Sequence, residues 1–119
     1  MRQAVTTPVL SAQRDHARGR VYDVRVSERM VSVFLTFHAL ERIERWRLTE
    51  RQVLRALLLP EEVLRGHRER FIAHRRQGTR VVRVVYEYDQ HLPAVLTVYC
   101  PTVKRYFRGG GHYEDRILA

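Results

Sequence analysis

One cysteine and one tryptophan are all that the 119 residues contain of those two types, and Lys104 is the only lysine among 22 basic side chains. The lone cysteine, Cys100, excludes an internal disulfide and any zinc site built from several cysteines. No run approaches the ~20 consecutive apolar residues that a membrane-spanning helix requires. The opening stretch, Met1 to Pro8, lacks the apolar core of a secretion signal. Carboxylates do not gather at metal-ligand spacing, and His67 and His74, seven apart, form no metal set. These absences lead us to expect a cytoplasmic protein with no membrane partner, no metal and no cofactor.

What remains is strongly basic. The formal charge is +9, the pI is about 10.7 and the mean hydropathy is −0.40. Hydrophobic residues make up 45%, enough for one modest core in a chain this short. A small domain with this balance calls for an anionic partner, nucleic acid ahead of a membrane surface or an acidic protein. Arginine in place of lysine also follows from a GC-rich genome, so charge alone does not decide the partner.

Residues 1–29 read as a flexible basic arm. The run Arg14-Asp15-His16-Ala17-Arg18-Gly19-Arg20 has little to bury. Residues 21–26 and 31–35 are strand-like, and either could add an edge strand. A first helix is expected from about Thr36, its N-cap, to Trp46. Phe37, Leu40 and Ile43 make its apolar stripe. A second helix starts at the capping-box pattern Thr49-Glu50-Arg51-Gln52 and stops before Pro60, with Val53, Leu54, Leu57 and Leu58 on its buried side. Glu61 to Gly66 reads as a short turn. Then the period changes to two: a strand over 70–76, a turn at Gln77-Gly78-Thr79, a strand over 80–88, a loop over 89–93 and a strand over 94–100. On the last strand, Leu96, Val98 and Cys100 are expected to face the core, and Val95, Thr97 and Tyr99 the other side. The expected fold is α+β: two N-terminal helices packed on a three- to four-stranded antiparallel sheet, spanning 30–108. A flexible tail over 109–119 follows Lys104-Arg105-Tyr106-Phe107-Arg108, where interleaved basic and aromatic residues suit RNA binding by charge and stacking and suit a last strand or a surface tail equally.

The first helix carries the chemistry. His38, Arg42 and Arg45 stand at i, i+4 and i+7 and stack on one face. Imidazole titrates near neutral pH, at about 6.5, and guanidinium offers a fixed positive fork. Together they suit a phosphate and a proton moved beside it. The same set, interleaved with Glu41 and Glu44, also reads as an ordinary solvated face.

His38-Ala39-x-x-Arg42-Ile43, Leu48-Thr49-x-x-x-Val53, Leu59-Pro60-Glu61-Glu62-Val63, Arg83-Val84-Val85-Tyr86 and Leu96-Thr97-Val98-Tyr99-x-Pro101-Thr102 occur in that order. In this the chain resembles the bacterial family called domain of unknown function 4258, over roughly residues 36–102. That family is similar to the RelE-like toxins. The resemblance implies a RelE-like fold and a toxin-like, metal-independent endoribonuclease restrained by a cognate antitoxin protein. Carried over by position, His38 is the helix histidine, Arg42 the helix arginine, and Thr97 and Tyr99 the late-strand residues. His38 would serve as acid or base, Arg42 and Arg83 would stabilise charge on phosphorus, Thr97 would donate a hydrogen bond, and Tyr99 would orient or stack. Arg45, Arg47, Lys104 and Arg105 would hold RNA. The alternative is a non-catalytic basic module that binds nucleic acid or an acidic partner protein. Where the family tends to have Arg-Gly before its second helix, this chain has Trp46-Arg47.

Overall fold

Local chemistry sets both helices. In the computed structural model, which describes residues 7–103 and the backbone of 107–108 and 112–113, α1 runs Phe37–Arg45 and α2 Glu50–Leu58. The Thr36 side chain caps α1 by accepting from the Ala39 N–H at 3.1 Å. Thr49 and Gln52 close a reciprocal capping box on α2: the Gln52 N–H donates to Thr49 Oγ1 at 3.1 Å and the Thr49 N–H to Gln52 Oε1 at 2.8 Å.

The sheet is larger than the sequence suggests. Its strands are β1 (Val9–His16), β2 (Gly19–Val26), β3 (Arg29–Thr36), β4 (Glu62–Arg65), β5 (Phe71–Gln77), β6 (Arg80–Asp89) and β7 (Leu92–Tyr99). They form one seven-stranded sheet in the order β1-β2-β3-β7-β6-β5-β4. A separate pair joins β8 (Phe107–Arg108) to β9 (His112–Tyr113). All contacts in the large sheet are antiparallel except β3 with β7, which run parallel through Phe34↔Ala94 and Leu35↔Val95. The expected fold, two helices on a three- to four-stranded antiparallel sheet of RelE-like form, is therefore wrong. The sheet is mixed, and three strands precede the helices.

The expected flexible arm over 1–29 is corrected with it, since β1 and β2 lie there. β1 is exposed along all eight residues. Neither of its faces selects apolar side chains, so the alternation that marks a half-buried strand is missing. Cross-strand polar contacts hold it instead. Arg14 pairs with Asp23 on β2, and Asp23 Oδ1 accepts from Ser32 Oγ on β3 at 2.8 Å. These contacts hold the Asp23 carboxyl below its usual range, Arg14 first and Ser32 next. The expected turn over 61–66 contains β4, too short for a period to register.

Both helices cover one sheet face, α1 mainly on β7 and α2 on β5 and β6. Ala39, Ile43, Val53, Leu54, Ala56 and Leu57 meet Tyr22, Val24, Val33, Leu35, Ala73, Val82, Val84, Tyr86, Val95, Val98 and Cys100 in the core. Val95 was expected outside and Leu96 inside. The register between β6 and β7 slips at Val85/Tyr86, so that Val85 faces Thr97 but Tyr86 faces Val95. This bulge turns Val95 inward and leaves Leu96 only half-buried. Thr36 Oγ1 donates to the carbonyls of Val95 and Leu96 at 3.1 and 3.2 Å, which ties the start of α1 to the bulge.

Gly19 sits where β2 begins, opposite Thr36. A Cβ built there would lie 2.0 Å from the Leu35 carbonyl oxygen. Backbone cannot step aside as a side chain can. Gly19→Ala is expected to destabilise the fold by about 3 kcal/mol, the upper end for overpacking. A urea midpoint unchanged from the parent's would disprove that close approach.

Candidate functional site

The expected catalytic side chains fall into two groups. His38 and Arg42 belong to the first. Helix spacing places them one turn apart on α1, beside the buried Ala39 and Ile43. His38 is exposed and Arg42 half-buried. The Arg42 Nε–H donates to His38 Nε2 at 3.5 Å. An accepting Nε2 puts the proton of the neutral ring on Nδ1. One turn further, Arg45 Nε lies 3.6 Å from Glu41 Oε1, an exposed pair that helps hold the helix but is worth little. Arg45 and Arg47 then line a cleft at the α1–α2 corner together with Arg80 from β6.

The second group stands on the sheet face away from the helices. Register sets Glu62, His74, Arg83 and Tyr99 directly opposite one another on β4, β5, β6 and β7. Thr97 lies two residues before Tyr99 at the bulge, and among the described residues its buried Oγ1 makes no hydrogen bond. Arg83 is 1% exposed and His74 0%. Glu62 Oε2 approaches His74 Nδ1 at 3.7 Å. Even so, burial first and the Arg83 charge second push the His74 imidazole down to about 3. The carboxylate is partly solvated and loses to those two effects, so His74 is neutral at physiological pH.

Structure thus unites Arg83, Tyr99 and Thr97 with each other. The described contact of His38 is with Arg42. At 1% exposure, Arg83 sits too deep for a phosphate to reach. Lys104 and Arg105 lie outside the described residues. Sequence reasoning gave His74, Glu62 and Arg80 no role. The first was within reach, because a Gly78-Thr79 turn pairs Gln77 with Arg80 and hence His74 with Arg83.

Among the described residues, no three His, Cys, Asp or Glu side chains gather as a metal set. Nor is any helix there long and apolar enough to cross a membrane. Cys100 is buried in the core, and burial raises its thiol pKa, against a smaller opposing effect of Arg80. It behaves as a small core residue.

No curated protein and no solved structure matches the chain. One family does, that described as Domain of unknown function (DUF4258), over residues 35–100. The match begins at the end of β3, takes in both helices and β4 to β7, and leaves out β1 and β2. It covers more than half of the sequence, and the chain belongs to this family.

Proposed function

We propose that this protein binds RNA along the basic side of α1 and cleaves it without a metal ion. The observation that carries the reading is the exposed His38 within hydrogen-bond reach of Arg42. An RNA phosphate seated on Arg42 would bring a 2′-hydroxyl to the imidazole. His38 supplies one proton transfer of the displacement, taking the 2′-hydroxyl proton or protonating the leaving 5′ oxygen, and solvent water carries the other. The 2′ oxygen attacks phosphorus, the P–O5′ bond breaks, and Arg42 offsets the charge that builds on the phosphate. Arg45 and Arg47 extend the positive track. Arg83, Thr97 and Tyr99 support the sheet from its far side and take no direct part.

Kinship to the RelE-like toxins enters this reading as shared chemistry rather than shared architecture. A cognate antitoxin protein would be the restraining partner, and the cytoplasm the place of action. The second reading is a basic module that binds RNA and does not cut it. Burial of Arg83 favours it, since that guanidinium is then closed to a phosphate seated beside His38 and Arg42.

The test is a mixture of purified protein and single-stranded RNA in EDTA. Binding is expected to weaken with salt with a log–log slope near −2, as for about three phosphate contacts on a single strand. Fragments that accumulate in EDTA support cleavage. Salt-sensitive binding without fragments selects the non-catalytic module, and binding indifferent to salt rejects both.

A further inference from the structure

Arg47 occupies a backbone position that its own side chain disfavours. α1 ends in a Schellman motif: the Leu48 N–H donates to the Ile43 carbonyl at 2.8 Å and the Arg47 N–H to the Glu44 carbonyl at 3.0 Å. The motif puts the residue after the cap in the left-handed conformation, where glycine is usual. Here that residue is Arg47, with φ 58. A side chain at this φ is strained by its Cβ.

The strained residue lines a cavity of about 480 Å³ between the helix corner and the β5–β6 turn. Arg45, Trp46, Gln52, Gln77 and Arg80 share its wall, and among the described residues no carboxylate does. Arg80 is fixed in place, since its Nη1 donates to the Cys100 carbonyl at 2.8 Å. Gln52 Oε1 is taken by the Thr49 N–H, which leaves the amide N–H₂ as its outward end. The Trp46 indole N–H is buried and, among the described residues, makes no hydrogen bond. The polar groups around this cavity are rich in donors, the composition of an anion receptor.

We propose that this cavity is a phosphate subsite and that Arg47 is a ligand-binding residue held against its conformational preference. Three guanidinium groups and two carboxamides suit a tetrahedral dianion or a phosphodiester. The reading of RNA as ligand names only the source of that phosphate, and the subsite does not depend on cleavage. On RNA it would hold a phosphate flanking the one at His38. A free polyphosphate is the other source of the same chemistry.

Trp46 is the only tryptophan and reports on the cavity directly. The full chain is titrated with pyrophosphate and, separately, with an oligouridine, following indole emission. At least one ligand is expected to change it saturably. Arg47→Gly is expected to weaken that ligand about tenfold, the loss of one charge-assisted contact. The same variant is expected to raise the melting temperature by about 3 °C, because glycine relieves the left-handed position. A change with oligouridine alone assigns the subsite to RNA. A change with pyrophosphate alone keeps the subsite and removes RNA as its ligand. Silence with both ligands, or Arg47→Gly binding as tightly as the parent, overturns the subsite. Loss of EDTA-resistant cleavage with the Trp46 response intact would count against the nuclease reading and leave the subsite standing.

Discussion

His38→Ala is expected to slow RNA cleavage by at least about a hundredfold, the lower range for loss of a positioned acid or base, with the melting temperature unmoved. His38 is exposed, so truncation opens no cavity and orphans no buried group. Its described contact, from Arg42, is weak at 3.5 Å, and Arg42 returns to water when the ring goes. Binding should fall far less, because the guanidinium groups that hold phosphate remain. The pattern to look for is thus a lost rate with retained affinity. It is read by single-turnover cleavage of a labelled RNA beside a binding titration of the same RNA. Cleavage at the parental rate by His38→Ala would assign the activity to another residue or to a contaminant. An equal loss of rate and affinity would make His38 a binding residue only.

The second large effect concerns stability and acid. His74 is fully buried between Glu62 and Arg83, and its imidazole is pushed down to about 3, mainly by burial. In the unfolded chain the same ring titrates near its ordinary value of about 6.5. The unfolded state therefore takes up a proton first as pH falls. The contribution of neutral His74 to stability is complete above about 6.5 and is lost progressively as pH drops toward 3. Over that window the loss is on the order of 5 kcal/mol, a large share of the 5–15 kcal/mol that holds a typical domain together. His74→Gln keeps a polar side chain and removes the titration. Urea unfolding of parent and variant at a series of pH values should show the parent losing stability more steeply between pH 6.5 and 4. Parallel curves would mean that the ring titrates alike in both states.

Much of the helical region was legible in the sequence because its determinants are local. Thr36 as cap, the Thr49–Gln52 box, the buried side of α2 and the Gly78 turn each involve residues within a few positions of one another. What escaped is what neighbours far along the chain decide. β1 is ordered by β2 and by the Arg14–Asp23 contact, not by any pattern of its own. The bulge on β7 depends on its pairing with β6 and reverses Val95 and Leu96. Burial of Arg83 could not be read from β6, where it alternates as a surface arginine would. The departure at Trp46-Arg47 was visible in sequence, but only the end of α1 explains it, since Arg47 takes the place a glycine would fill.

The parallel contact between β3 and β7 has a consequence for synthesis. Phe34 meets Ala94 and Leu35 meets Val95, partners about sixty residues apart. At translation speeds of about 5–20 residues per second, the free edge of β3 waits several seconds for its second neighbour. Through that interval a nascent chain on the ribosome carries an open strand border with Val33 and Leu35 beside it, a surface that invites mispairing between copies. Completion of the last long strand closes it, so the sheet is sealed at its centre late and from the C-terminal side.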